Sequence, residues 1–328
     1  MEDHRSRAPL AALCGAAPEA PAWFTQALQH APERALHDVE GARIETLTWG
    51  ERGRPGLLFL HGNGAHADWW SFIAPFFARD YRVAALSWSG MGGSEWRTAY
   101  SIDLYVEEAL RIAEAAGLFE AETKPVFVGH SFGGFPLIGC AARRGKDLRA
   151  AIVVDTPFLP PERVKEHRER RARRGYGSPT QIYPTLAAAL ARFRLLPAQP
   201  TDNLFIVDFI ARMSLKQISH NSEEGFIWRF DPFLWQRYRM SNPVDDLRNA
   251  GCPIAIIRGE RSIVMTEESA VFMRDTAPAG TPLIEIPDAY HHVMLDQPLA
   301  FVSTLRALLA GQAFGVARGE AAQARAGG

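Results

Sequence analysis

The chain has 328 residues, 47% hydrophobic and 22% charged. That is the size of one large domain, or of a domain with a sizeable insertion, and the composition of a globular fold. A formal net charge of −1 gives the whole molecule no attraction to nucleic acid or to a membrane surface, and no apolar run approaches the ~20 residues that span a bilayer.

The first 35 residues read as an N-terminal arm. Two arginines precede a short Ala/Leu stretch in the manner of a signal peptide. The apolar run from Ala8 to Ala17 is short, however, and is broken by Pro9 and Gly15. A frayed arm leading into a short helix is expected instead. The stretch 37–50 alternates as an antiparallel hairpin turning at Gly41. Six short apolar runs then read as strands: 57–61, 83–87, 126–129, 151–155, 254–259 and 283–287. Most are continuously apolar, as parallel strands covered on both faces are. Helical patterns lie between them at 67–79, 102–116, 132–144, 266–277 and 298–310. The predicted fold is therefore α/β, a mostly parallel central sheet with helices on both faces and right-handed crossovers. The core comprises 36–155 and 250–310.

The alternation stops between Thr156 and about Asn249, where helical patterns prevail and few strand-like runs occur. Residues 156–249 are expected to form a helical insertion. It leaves from the carboxyl end of a strand, the edge where parallel sheets carry their sites, so it is placed as a lid. The Gly/Ala-rich end, 311–328, is expected to be disordered. Cys14, Cys140 and Cys252 form no CxxC or Cys/His cluster, so no metal site, disulfide framework or cofactor is expected. A reducing cytoplasm is the default compartment.

The chemistry centres on Gly129-His130-Ser131-Phe132-Gly133. A G-x-S-x-G segment between a strand and a helix forms a sharp turn that thrusts its serine above the sheet, and the glycines remove side chains that would clash there. Flanked by "PVFV" and "FPLIGCAA", the motif gains the structural context it needs.

These residues resemble the α/β-hydrolase family, as do three further segments. "HGNGAHADWW" is similar to the family's H-G loop. "SWSGMGGS" (87–94) is similar to its D-x-x-G-x-G-x-S turn, with Ser87 in place of the aspartate. "AYHHVMLDQP" is similar to its late histidine segment, and counting back from Asp296-Gln297-Pro298 selects His291 over His292. The resemblance implies that Ser131 is the nucleophile and His291 its base and later the acid for the leaving group. The backbone N–H groups of Asn63 and Phe132 would then hold the oxyanion.

The triad acid departs from the pattern. The family's usual acid stands three residues after a glycine, but Gly259 is followed by Glu260, Arg261 and Ser262. A second placement, seen in dehalogenase-like and lactonase-like members, is the end of the strand after the nucleophile helix. Asp155 ends that strand, 24 positions after Ser131 (155 − 131). Asp155 is taken as the acid, with Glu260 as runner-up and a dyad without an acid also open. Haloalkane dehalogenases and epoxide hydrolases use an aspartate at the elbow, so Ser131 argues against both chemistries.

Arginines and glutamates crowd 161–174, which reads as a solvated lid helix laced by i,i+4 pairs, with an arginine reaching a substrate carboxylate as the alternative. Aromatic stretches in the insertion read as lid core or pocket wall. Gly62, Trp69, Trp70, His130, Phe158, Phe193 and Trp228 are the candidate substrate-contacting residues. The expected function is hydrolysis of a carboxylic ester or lactone of a moderately bulky hydrophobic substrate through an acyl-enzyme. A C–C bond hydrolase of a diketone, a thioesterase or an amidase would use the same residues. A receptor-like ligand-binding protein on this scaffold is the competing class. The expected partner is a small molecule, with neither nucleic acid nor membrane, and the chain acts as a monomer or homodimer.

Overall fold

The structure is a computed structural model. It describes residues 8–160, 163, 177, 179–220, 223–239, 241 and 243–311. Its strands are β1 (Glu33–Val39), β2 (Ala42–Trp49), β3 (Gly56–Leu60), β4 (Arg82–Leu86), β5 (Tyr100–Ser101), β6 (Val126–His130), β7 (Ala150–Val154), β8 (Leu215–His220), β9 (Glu223–Trp228), β10 (Tyr238–Arg239), β11 (Ile254–Gly259) and β12 (Leu283–Ile286). Eight of them form one sheet in the order β1-β2-β4-β3-β6-β7-β11-β12. β1 and β2 pair antiparallel, as do β2 and β4, and every neighbouring pair from β4 to β12 is parallel.

The continuous apolar runs are explained by burial on both faces. Leu57 and Phe59 of β3 enter one core with Val126, Val128 and Ile152. Leu58 and Leu60 enter the other with Phe127 and Val153. Successive side chains point to opposite faces of a strand, so a sheet covered twice needs apolar residues at every position. The opening hairpin turns through Glu40 and Gly41, both with positive φ (46° and 74°), the geometry that matches the right-handed twist of its strands.

Strand order places the site. From β3 the chain moves to β4 on one side, then returns past β3 to β6 and continues to β7 on the other. The loops after β3 and β6 therefore diverge, opening a crevice at their carboxyl ends. Asn63 follows β3 and Ser131 follows β6, so the sequence reading and the topology converge on one place.

Four expectations are corrected. The predicted helix 67–79 is two 3₁₀ turns, Ala67–Trp70 and Ala74–Phe76. Pro75 lacks an N–H and breaks the ladder, while Trp70, Phe72 and Phe77 are all buried. The arm is not frayed over its described part. Leu10 and Phe24 are buried, and Phe24 packs on Phe72, Phe205 and Phe209. Strand β1 starts at Glu33, within the stretch assigned to the arm. The stretch between β7 and β11 holds helices Leu186–Leu190 and Leu204–Met213, but also the antiparallel hairpin β8–β9, whose "FIW" run is β-branched and aromatic. Most of the Arg-rich stretch 161–174 and all but the first residue of 311–328 lie outside the described residues. Among the described residues, no helix is long and apolar enough to cross a membrane.

Candidate active site

Ser131 sits at the end of β6 with φ 52°, a left-handed conformation that costs a non-glycine residue of order 1–3 kcal/mol. Its surroundings hold it there. A Cβ on Gly129 would lie 2.6 Å from the Gly133 carbonyl oxygen, and one on Gly133 would lie 2.6 Å from that of Leu60. Backbone cannot move aside, so both positions need glycine. The helix Gly134–Arg144 follows, with Pro136 in its first turn where a missing N–H costs nothing.

The geometry brings three predicted residues into one row. His291 Nε2 lies 2.9 Å from Ser131 Oγ, and His291 Nδ1 lies 2.7 Å from Asp155 Oδ1. Asp155 and His291 are 0% and 2% exposed. In the neutral ring, Nδ1–H donates to the carboxylate and Nε2 accepts the serine hydroxyl, the tautomer a general base requires. Asp155 also accepts the Gly259 N–H at 2.8 Å on Oδ2 and the Ser262 hydroxyl at 2.6 Å on Oδ1. β6, β7 and β11 are adjacent, which is why an acid at the tip of β7 reaches an imidazole beside β6.

Glu260 does not join the row. It is exposed, and its carboxylate accepts the Asp288 N–H at 2.8 Å. The residue in the usual acid position, Ser262, instead supports Asp155, and its Oγ accepts the Val264 and Met265 N–H groups. Sequence reasoning missed this role because the two residues are 107 positions apart.

Asn63, Ser131 and Phe132 line one cavity of about 470 Å³, together with Phe135, Phe158 and Trp235. The loop carrying Asn63 is fixed from behind. His61 Nδ1 donates to the Gly62 carbonyl at 2.7 Å, and its Nε2 accepts the Trp88 N–H. Burial pushes the His61 pKa down to about 3, so the ring stays neutral and serves as both donor and acceptor. The turn 87–94 has its own substitution. Ser87 donates to Glu45 Oε2 at 2.7 Å, and Glu45 also accepts from Gly93 N and Arg229 Nη2. Burial works against the Glu45 charge, but Arg229, Ser87 and Gly93 outweigh it and hold the carboxyl below its ordinary value.

The remaining candidates divide. Phe158 lines the first cavity, while Trp69, Phe193 and Trp228 line a second, which shares Asn63 and Trp235 with it. Three do not line either. Trp70 stacks on Phe59 and Phe301 in the core. Gly62 backs the elbow, where a Cβ would meet His130 Nδ1 at 3.1 Å. His130 donates from Nε2 to the His291 carbonyl at 2.9 Å, and burial together with the neighbouring His291 holds its pKa well below the ordinary value. It steadies the His291 loop rather than meeting a ligand. Phe135 and Tyr238 line the first cavity unannounced by any motif. Trp235, which also lines it, closes one of the aromatic stretches of the insertion read as lid core or pocket wall.

Among the described residues, one group has the spacing to hold a metal ion: His130, His291 and His292, with ligand atoms within 4.8 Å of one another. A metal there would take His291 away from Ser131.

Residues 57–304 match the model of the alpha/beta hydrolase family. The chain belongs to this family. It is 25% identical over 302 residues to the esterase Rv0045c of Mycobacterium tuberculosis (strain ATCC 25618 / H37Rv), covering 87% of this chain and 92% of that one. Over 276 residues it is 25% identical to epoxide hydrolase 4 of Homo sapiens, covering 79% and 73%. The thioesterase domain from the curacin biosynthetic pathway superposes with a TM-score of 0.69 at 20% identity, covering 84% and 99%. That likeness is one of fold.

Proposed function

We propose that this chain is a serine hydrolase that cleaves a carboxylic ester of moderate size through an acyl-enzyme. The observation that carries this reading is the row Asp155–His291–Ser131 opening into a cavity beside Asn63 and Phe132. His291 takes the Ser131 proton as Oγ attacks the carbonyl carbon. The carbonyl oxygen becomes an oxyanion held by the Asn63 and Phe132 N–H groups, which replace water at the developing charge. His291 then protonates the leaving alkoxide, and the alcohol departs. Water, activated by the same ring, attacks the acyl carbon and releases Ser131. Asp155 holds the ring through Nδ1 and stabilises the imidazolium.

The esterase name of the mycobacterial relative supports ester chemistry. The epoxide hydrolase relatives do not extend their chemistry here, since the elbow carries Ser131 instead of the carboxylate that opening an epoxide by covalent attack requires. The aromatic lining of Phe132, Phe135, Phe158, Trp235 and Tyr238 suits a hydrophobic acyl or alcohol group.

The test is steady-state hydrolysis of 4-nitrophenyl butanoate. Wild type turns it over, and Ser131→Ala lowers kcat by roughly 10⁴- to 10⁶-fold. Turnover that survives in Ser131→Ala would refute the assignment. Tight ligand binding without turnover would move the chain to a receptor-like class.

A further inference from the structure

The second cavity, about 390 Å³, opens beyond Asn63 and Trp235, which also line the first. Asn63 and Trp235 thus form a boundary common to the two cavities. Aromatic groups, Phe193, Trp228 and Phe230, supply part of its wall. The polar groups do not match a purely hydrophobic ligand.

Two side chains in its lining, Trp69 and His292, carry buried nitrogens. Among the described residues, Trp69 Nε1 and both ring nitrogens of His292 make no hydrogen bond, and the two rings are 5.3 Å apart. The Pro197 carbonyl lies beside the His292 ring. Buried groups left in this way each cost about 1–3 kcal/mol, and native interiors rarely leave two side by side. Burial and the neighbouring His291 and His130 hold the His292 pKa well below its ordinary value, so the neutral ring offers one N–H.

Two arginines line the same cavity. Arg194 is partly buried, and its Nη1 donates to the Ala191 and Phe193 carbonyls. Arg192 is exposed. Among the described residues neither meets a carboxylate. Burial and the nearby Arg192 charge lower the Arg194 pKa, as expected of like charges held together without a counterion. Asp231, the one acid among the described lining residues, is engaged elsewhere. It accepts Tyr100 Oη and Arg237 Nη1 at 2.8 Å and the Phe233 N–H at 2.9 Å.

We propose that the second cavity is a subsite for a carboxylate on the substrate, held by Arg192 and Arg194 and hydrogen-bonded by Trp69 Nε1–H and His292. The preferred substrate is then an ester carrying a free acid several bonds from the scissile carbonyl. An anion is the ligand that satisfies the whole set, since every one of these groups can donate and the two guanidinium groups cannot accept. This rests on the hydrolase reading above.

Two matched pairs of esters test it, one with the acid on each side of the bond. 4-Nitrophenyl hydrogen glutarate is compared with 4-nitrophenyl pentanoate, and 4-acetoxybenzoate with phenyl acetate. In one pair kcat/KM should favour the anion by roughly 10- to 100-fold, the span of charge-assisted hydrogen bonding, and chiefly through KM. The ratio should fall toward one in Arg192→Gln/Arg194→Gln, and partway in Trp69→Phe, which keeps the ring but removes the N–H. It should also shrink at high salt. Equal rates within both pairs, or a preference that persists in the double variant, would overturn the subsite while leaving Ser131-dependent hydrolysis intact. If no ester is turned over, the hydrolase reading fails. Calorimetric titration of glutarate into Ser131→Ala then decides the subsite: binding lost in the arginine variants supports it, and no binding refutes it.

Discussion

At the residue scale, two serines occupy positions where the family pattern has aspartates, and each is bonded to a carboxylate brought from another strand. Ser87 meets Glu45 of β2, and Ser262 meets Asp155 at the tip of β7. The charge needed at each place is kept, but its donor has moved. This is testable at the triad. Asp155→Asn should cost about 10⁴ in kcat, because the amide favours the wrong imidazole tautomer. Adding Ser262→Asp should recover at least tenfold of that loss, since Ser262 Oγ bonds the same Oδ1 that accepts His291 Nδ1. In the wild-type background Ser262→Asp should instead lower activity, because two carboxylates in contact must share a proton. Measured kcat/KM for the three variants decides it, and a double variant no better than Asp155→Asn would show that position 262 does not face the imidazole. Ser131, His291 and Asp155 were legible in the sequence because a turn, a spacing and a strand end fix them locally. Ser262 was visible as an oddity, but its partnership depends on β7 and β11 lying side by side.

At the element scale, the sheet strands were readable because two-sided burial writes itself as continuous apolar residues. The stretch between β7 and β11 was less so, because its elements are short and stabilised by contacts to the core. Strand β10 pairs with β5 over two residues, Asp231 N donates to the Gly90 carbonyl at 2.7 Å, and Gly92 N donates to that of Arg229 at 2.8 Å. Arg229 matters most in this anchoring. Its side chain reaches Glu45 Oε1 at 3.0 Å and the Met213 carbonyl at 3.0 Å, and both charged side chains are largely buried. Removing one partner leaves an uncompensated charge, which costs about 3 kcal/mol or more. Arg229→Met should therefore lower the urea unfolding midpoint markedly. Glu45→Gln/Arg229→Met should recover part of the loss, because neither charge then remains. If the double variant is as unstable as the sum of the two singles, the pair contributes nothing through its charges.

At the scale of the whole molecule, the buried ionisable groups set how stability follows pH. His61, His66, His130 and His292 all have depressed pKa values, with burial the first cause. Their contribution is fully present above the unfolded value, near 6.5, and is lost as pH falls toward the folded values. Asp296 acts in the opposite sense. It accepts the Tyr290 N–H and both contacts from Gln199 Nε2, yet burial outweighs these bonds and pushes its pKa up to about 7. Its neutral form is the one the fold favours, so its contribution is present below the unfolded value, near 3.8, and is lost as pH rises through about 7. Between roughly pH 4 and 6.5 the histidines weaken the fold on acidification while Asp296 strengthens it. Asp296→Asn removes the opposing proton, so unfolding free energy should fall more steeply with acid in the variant, by up to about 1.4 kcal/mol per pH unit. Urea titrations of both proteins at half-unit steps from pH 4.5 to 6.5 measure it. The slope is the readout rather than the level, because the amide also changes the bonds to Tyr290 and Gln199. Parallel slopes would mean that Asp296 is already ionised in the folded protein, held by the Tyr290 and Gln199 donors despite its burial.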